Sequence, residues 1–211
     1  MRSFLRIKDF TVSEAREVLR LAERFKTQRG NFCADLLRGQ TYALIFSKSS
    51  TRTRVSFEVG IREMGGQTLF LSANDIQLGR GEPIIDTARV LGKMAHGAVI
   101  RTYAQADVEQ FAQYSALPTI NALTDDEHPC QILTDIFTYE RKHGSISGKK
   151  VVFIGDADCN VARSFVHAAE LFNFKLTCAA PDGYQTRVTN ANTTLTVSAQ
   201  AAAADADLLY T

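Results

Sequence analysis

The stretch Phe46–Gly60, with the sequence FSKSSTRTRVSFEVG, determines how the rest of the chain is interpreted. It follows an apolar run, Tyr42–Phe46, which predicts a buried strand. It leads into a helical pattern that is expected to stop at the glycine pair Gly65-Gly66. The residues expected on or near the buried face of that helix are Val55, Val59 and Ile61. The stretch therefore predicts a turn of small residues between a strand and a helix N-terminus.

The chemistry of this turn suits a negatively charged group. Its hydroxyl donors are Ser49, Ser50, Thr51 and Thr53, and its cations are Lys48, Arg52 and Arg54. The first backbone N–H groups of a helix lack partners inside the helix, and the helix dipole is positive at that end. The alternative is a simple Ser/Thr cap, but a cap needs one hydroxyl and no cation. The turn therefore predicts a phosphate or carboxylate site, although it lacks the glycine spacing of a Walker or dinucleotide-binding loop.

Composition restricts the classes of protein that fit. The 211 residues carry a formal net charge of +1, which argues against a general nucleic-acid coat or a membrane-surface role. No apolar run approaches the length of a membrane span, and the N-terminus lacks the apolar core of a secretory signal. The cysteines are scattered without a C-x-x-C pair, at Cys33, Cys130, Cys159 and Cys178. We therefore expect reduced thiols in a cytoplasmic protein, with neither a disulfide framework nor a zinc site.

Strand and helix patterns alternate along the chain, which is typical of a parallel α/β sheet. The predicted fold is two parallel-sheet α/β domains, at 1–128 and 144–211, joined by a long helix over 129–143. Another helix is predicted to begin at Pro83. The residues expected on its buried face are Ile85, Ala88, Leu91 and Met94.

Polar residues follow several of the predicted strands, at the ends where parallel sheets bind ligands. They are the turn after Phe46, Arg101, and the segment after Leu123, which contains DDEHPCQ at 125–131. His128 lies just before a helix N-terminus and Gln131 lies one turn inside, so both are candidate hydrogen-bonding groups. Taken alone, His128 would more often be a surface residue at a capping turn. Nothing nearby in sequence is an obvious base for Cys130, which we expect to be a small packing residue.

Two of these motifs resemble those of a known family. Ser50-Thr51-Arg52-Thr53-Arg54 and His128-Pro129-Cys130-Gln131 resemble the carbamoyl-phosphate motifs of the aspartate/ornithine carbamoyltransferase family. The segments QLGRGEP at 77–83 and DTAR at 86–89, and Gly155-Asp156 with Asn160, are closest to the ornithine-using branch of that family.

The resemblance implies roles for individual residues. The implied carbamoyl-phosphate site consists of Ser50, Thr51, Arg52, Thr53, Gln77, Arg101, His128, Pro129, Cys130 and Gln131. Its phosphate would be bound by residues 50–53, its carbonyl oxygen by Arg101 and His128, and its amide by Gln131. The implied catalytic residues are Arg52, Arg101 and His128. Gln77 would reach the site from a neighbouring subunit of a trimer, and Asn160 would bind ornithine.

The resemblance also implies a reaction: transfer of the carbamoyl group from carbamoyl phosphate to the δ-amine of L-ornithine, giving L-citrulline and phosphate in arginine biosynthesis or catabolism. A neutral amine attacks the carbonyl carbon, so no metal, nucleophilic side chain or organic cofactor is required. The implied partners are the two substrates and identical subunits, in a homotrimer or a multiple of trimers, without nucleic acid or membrane. The alternatives are a sister transferase for putrescine, acetylated ornithine or aspartate, and a non-catalytic carbamoyl-phosphate-binding subunit.

The sequence departs from the family pattern in two places. Cys159 stands where asparagine is usual, and the D-x-W-x-S-M-G and H-C-L-P motifs of the family do not occur before Thr211. We therefore expect the ornithine-binding domain, 144–211, to be incomplete. The 211 residues alone are expected to bind carbamoyl phosphate with negligible turnover.

Overall fold

The structure is a computed structural model, and it describes residues 2–29, 31–32, 34–72 and 81–211. Two compact units are present: Met1–Leu5 with Arg20–Asp125, and Arg6–Leu19 with Asp126–Thr211. Within the described residues each unit contains one sheet of four strands, and every strand pair is parallel. The predicted α/β fold with two parallel sheets is confirmed. No helix in the described part of the chain is long and apolar enough to cross a membrane.

The first unit is built around strands β1 (Thr41–Phe46), β2 (Gln67–Ser72), β3 (Gly97–Arg101) and β4 (Thr119–Leu123). Its sheet has the order β2-β1-β3-β4. The helices between these strands are α2 (Thr51–Glu63), α3 (Ile84–Leu91) and α4 (Gln105–Ser115). Helix α1 (Val12–Thr27) precedes them and contributes residues to both units.

Apolar side chains cover both faces of this sheet. Successive residues of a strand point to opposite faces, and Leu44 packs in one cluster with Ile61 of α2. Its neighbour Ile45 packs in another cluster with Ala88 of α3 and Phe111 of α4. Because β1 is buried on both sides, its sequence is a continuous apolar run rather than an alternating one.

The buried face of α2 differs from the prediction. Ile61 is buried as expected, but Val55 is 51% exposed and Val59 is 36% exposed. The face that packs on the sheet contains Ile61 and the partly buried Phe57, which lie four residues apart. The predicted stop is confirmed, because Gly65 follows the helix with φ +83°, a conformation that favours glycine.

The buried face of α3 also differs in part. Ala88 is buried, and Leu91 packs against the same cluster. Met94, predicted to be buried, is 71% exposed because α3 ends at Leu91, before the turn that would carry it inward. Ile84 packs against the cluster and is half-buried, as is Ile85, which was predicted to be buried.

The second unit has the sheet order β7-β6-β5-β8. Its strands are β5 (Lys150–Ile154), β6 (Lys175–Ala179), β7 (Thr193–Thr196) and β8 (Leu208–Tyr210). Its helices are α5 (Pro129–His143), α6 (Asn160–Phe172) and α7 (Ala199–Ala203), in addition to a short 3-10 helix, Ile7–Asp9. Helix α5 has the predicted bounds and belongs to this unit. Its role as a link between two domains stays a prediction.

Substitutions on the buried and exposed faces of α2 test this packing directly. We expect Ile61→Ala to lower the free energy of unfolding by about 2–5 kcal/mol, since it removes a buried side chain from the sheet cluster. The matched variant Val55→Ala, on the exposed face, should change it by less than about 0.5 kcal/mol. Urea denaturation of both variants measures the difference. Equal losses would mean that both faces of α2 are packed in solution.

Candidate functional site

The predicted turn lies where β1 ends and α2 begins. Ser50 is the N-cap of α2, and its hydroxyl accepts a hydrogen bond from the backbone N–H of Thr53 at 3.3 Å. The first turn of the helix contains no acidic residue. Its remaining N–H groups and the positive end of the dipole therefore favour an anion.

The order of the strands places a crevice at this turn. β1 pairs with β2 on one side and with β3 on the other, so the chain leaves β1 and β3 in different directions. Ligands of parallel sheets bind at such a switch point, outside the carboxyl ends of the strands. The turn and the end of β3 are joined directly, because Ser47 N–H donates to the carbonyl of Arg101 at 2.8 Å.

Arg101 brings a charged donor to the beginning of α2. Its Nη1 donates to Thr53 Oγ1 at 3.4 Å. Its Nε is buried and has no hydrogen-bond partner within the part of the chain that the structure describes. Burial lowers the pKa of Arg101, but a guanidinium stays charged in the physiological range. A buried charged donor is costly to leave unpaired, so this group suits a ligand oxygen.

A cavity of about 600 Å³ opens beside the turn. Ser47, Lys48, Ser49, Ser50, Thr51 and Arg54 are among the residues that line it. Most of the predicted hydroxyl donors and two of the predicted cations thus share one cavity. The side chain of Arg52, the third cation, is exposed to solvent at the beginning of α2.

The two cations in the cavity are already partly neutralised. Lys48 forms an ion pair with Asp125, and its ammonium lies 4.5 Å from the ring centroid of Tyr103. Arg54 lies 3.6 Å from Glu58 Oε2, and its guanidinium stacks over Phe70 at 3.6 Å. Arg54 is therefore held by an ion pair within α2. The sequence did not reveal the partner of Lys48, because Asp125 lies 77 residues away.

The second unit contains His128, Pro129, Cys130, Gln131 and Asn160. His128 is the N-cap of α5, Pro129 is its first residue, and Gln131 lies in its first turn. Burial raises the pKa of the Cys130 thiol to about 12. A thiol with that pKa is a poor nucleophile at neutral pH, in agreement with the packing role expected for it. Asn160 is the first residue of α6.

A buried cluster holds the backbone next to His128. The backbone N–H of His128 donates to Ser164 Oγ at 2.9 Å, and the Ser164 hydroxyl donates to Glu127 Oε2 at 2.5 Å. Glu127 is 4% exposed, and its other carboxylate oxygen lies 3.1 Å from His167 Nε2. Ser164 lies four residues after Asn160, on the same face of α6. The hydroxyl of Ser164 therefore ties the beginning of α5 to the helix that carries Asn160.

Asp158, in the segment GDADCN at 155–160, forms ion pairs with Arg163 and Arg187. Arg163 contacts Asp158 at 2.8 Å and Asp126 at 2.9 Å. The hydrogen bond from Arg163 holds the pKa of the Asp158 carboxyl below its usual range. Among the described residues, no group of three or more His, Cys, Asp or Glu side chains could hold a metal ion. The predicted site residue Gln77 lies outside the described residues.

Sequence reasoning missed the residues that support His128 and Gln131. Ser164 and Glu127 are separated by 37 residues, and no local pattern connects them. Asp135 was also missed, although it accepts a hydrogen bond from Gln131 Nε2 at 2.9 Å. The sequence could have indicated this contact, because residues four apart are neighbours on a helix.

The Ser164 cluster leads to a stability prediction. We expect Ser164→Ala to lower the free energy of unfolding by about 1–3 kcal/mol, because buried Glu127 loses a hydrogen-bond donor and the His128 N–H loses its acceptor. The exposed helical Ser56→Ala is the matched control, with a change below about 0.5 kcal/mol. Thermal or urea denaturation measures both variants. A loss no larger than that of the control would show that water replaces the hydroxyl.

Comparison with known proteins gives two matches to family models. Residues 2–141 match the aspartate/ornithine carbamoyltransferase carbamoyl-P binding domain, and residues 147–211 match the Asp/Orn binding domain of the same family. The ornithine carbamoyltransferase of Akkermansia muciniphila is 58% identical over 186 residues, covering 87% of this chain and 61% of the relative. That of Hydrogenovibrio crunogenus is 47% identical, covering 91% of this chain and 64% of the relative.

Solved structures give the same result. The crystal structure of ornithine carbamoyltransferase from Burkholderia thailandensis matches with a TM-score of 0.91 at 40% identity, covering 99% of this chain and 74% of that one. The Pyrococcus furiosus ornithine carbamoyltransferase matches with a TM-score of 0.83 at 44% identity, covering 88% of this chain and 59% of that one. The chain spans about 60% of the length of the curated relatives it matches. The chain belongs to the aspartate/ornithine carbamoyltransferase family.

Proposed function

We propose that this protein transfers the carbamoyl group of carbamoyl phosphate to the δ-amine of L-ornithine, giving L-citrulline and phosphate. The observation that carries the proposal is the contact between Arg101 and Thr53 at the capped N-terminus of α2. It combines a fixed cation, hydroxyls and free backbone donors at one strand edge. The relatives that carry the name ornithine carbamoyltransferase support the choice of reaction.

In this proposal the phosphate of carbamoyl phosphate binds at the beginning of α2. Ser50, Thr51 and Thr53 supply hydroxyl and backbone donors, and Arg52 supplies charge from the second position of the helix. Arg101 extends along the same ligand toward the carbonyl oxygen. The cavity beside the turn supports this assignment, since its volume accommodates a small dianion.

Transfer then needs one bond to form and one to break. The lone pair of the neutral δ-amine attacks the carbonyl carbon, and the bond from that carbon to the phosphate oxygen breaks with its electrons on phosphate. The nitrogen loses a proton to the departing phosphate, which completes the ureido group of citrulline. Arg101 and His128 donate to the oxygen on which negative charge develops, which lowers the barrier. Cations around the phosphate stabilise the leaving group, so the chemistry needs neither a metal nor an organic cofactor.

The remaining assignments concern the carbamoyl amide, the acceptor and the organisation of the protein. Gln131, with its neighbours Pro129 and Cys130, holds the carbamoyl amide, and Asn160 binds the amino-acid end of ornithine.

We propose that 1–128 bind carbamoyl phosphate, that 129–143 join the domains, and that 144–211 belong to the ornithine domain. The thiol state of Cys159 and Cys178 supports a cytoplasmic location.

The reaction is tested with the protein expressed from its natural gene. We expect carbamoyl phosphate and L-ornithine to give citrulline at a rate at least about tenfold above that with putrescine, acetylated ornithine or aspartate, which is the lower end of the discrimination that pocket contacts provide. The rate with each amine is measured by quantifying phosphate and the carbamoylated amine in each reaction. A faster reaction with another amine would identify that amine as the acceptor instead of ornithine. Carbamoyl-phosphate binding without transfer to any amine would support a binding subunit.

Arg52 is the residue to test for phosphate binding. A charge-assisted contact contributes roughly 1.5–3 kcal/mol, so Arg52→Ala should weaken carbamoyl-phosphate binding about tenfold to a hundredfold. The matched control is Arg62→Ala, which removes an exposed arginine from the last turn of the same helix and should leave affinity unchanged. Calorimetry measures both variants. Unchanged affinity in Arg52→Ala would contradict the assignment.

We also propose a homotrimer in which Gln77 completes the site of a neighbouring subunit. The Arg52→Ala chain tests this arrangement when it is mixed with a Gln77→Ala chain. If the site is shared, subunit exchange brings an intact Arg52 and an intact Gln77 together at some sites, and binding partly recovers. Absence of recovery after confirmed exchange would contradict a shared site.

A further inference from the structure

The Gln131 side chain is oriented by one hydrogen bond. Its Nε2 donates to Oδ1 of Asp135 at 2.9 Å, and both residues lie on α5, four residues apart. A carboxylate can only accept hydrogen bonds, so the end of the amide that faces it must be the NH₂ group. The amide oxygen of Gln131 is then left as the outward acceptor.

Asp135 is itself held by its surroundings. Burial raises the pKa of Asp135, and hydrogen bonding from Gln131 and from Tyr210 of β8 counteracts that effect. Tyr210 is fixed by two aromatic rings: it stacks on Phe153 at 5.8 Å and meets Phe165 edge-on at 4.9 Å. The carboxylate that orients Gln131 therefore lies beside a tyrosine of the second unit's sheet.

We propose that Asp135 is a positioning residue, which fixes the Gln131 amide with its oxygen ready to accept a hydrogen bond from the carbamoyl NH₂ group. The inference rests on the proposed function, in which Gln131 holds that group. It adds a basis for selectivity: a ligand without the N–H donor would leave the Gln131 oxygen unpaired. Reversal of the amide would instead set the NH₂ of Gln131 against the NH₂ of the ligand.

The test compares two stable ligands by calorimetry. Phosphonoacetamide carries a phosphonate and the carboxamide, whereas inorganic phosphate carries only the anion. In Asp135→Asn the new side chain can either donate or accept, so it no longer fixes the orientation of Gln131. We expect about a tenfold loss of affinity for phosphonoacetamide and a change within about twofold for phosphate, because one hydrogen bond to the amide is lost.

A double variant distinguishes loss of the Gln131 orientation from general damage to the site. In Gln131→Glu combined with Asp135→Asn, the asparagine amide donates to one glutamate oxygen and the other oxygen accepts from the ligand. The net charge of the pair is unchanged. We expect this double variant to recover most of the affinity for phosphonoacetamide, whereas Gln131→Glu alone sets two carboxylates together and should not. Failure of the double variant to recover would overturn the proposal, since a purely structural role for Asp135 predicts no recovery.

The outcomes also distinguish this inference from the proposed function. If the unmodified protein binds phosphonoacetamide no more tightly than phosphate, the assignment of Gln131 to the carbamoyl group fails. If it prefers phosphonoacetamide and Asp135→Asn keeps the full preference, only the role of Asp135 is overturned. Should Asp135→Asn not fold, Tyr210→Phe takes its place: a loss confined to phosphonoacetamide supports the proposal, and unchanged affinity overturns it.

Discussion

Burial of the central strands on both faces is the constraint on which the first unit depends. β1 contacts the α2 cluster through Leu44 and the α3–α4 cluster through Ile45, so neither face has room for an uncompensated polar group. Polar chemistry is restricted to the edge where the strands end. The backbone donors at the beginning of α2 lie at that edge and need acceptors, and Ser50 satisfies only the N–H of Thr53. The architecture therefore favours an anion at this edge as much as the side chains do.

Features fixed by neighbouring residues could be predicted from the sequence. α5 has the predicted bounds because Pro129 is favoured in the first turn of a helix and Gly144, with φ +78°, ends it. The buried face of α2 could not be predicted in the same way. Val55 and Val59 form one apolar stripe and Phe57 and Ile61 form another, and helical spacing accepts either stripe. The sheet packs on the second stripe, a choice that depends on tertiary contacts.

In the candidate site, too, features of one short segment could be predicted from the sequence and contacts between distant residues could not. The hydroxyls and cations of the β1–α2 turn were visible because one short segment contains them. The partner of Lys48 lies 77 residues away, and the Ser164 hydroxyl that supports His128 lies 36 residues away. Only the fold brings such pairs together. The Gln131–Asp135 pair is different. Its two residues lie four apart on a predicted helix, so their hydrogen bond could have been predicted from the sequence.

Charge is distributed over the proposed residues as the reaction requires. In the first unit the residues proposed for the phosphate are arginines and backbone donors, which suit a group whose negative charge grows as it leaves. In the second unit Gln131 and Asn160 are amides, and one oxygen of the carboxylate behind Gln131 accepts a hydrogen bond from the Gln131 amide. A neutral, oriented amide can recognise the carbamoyl group without adding charge beside the attacking amine, which must itself be uncharged to react. Fixing the orientation in advance means that the ligand need not pay the entropic cost of ordering that side chain. In this proposal the carboxylate of Asp135 serves the geometry of the site rather than its charge.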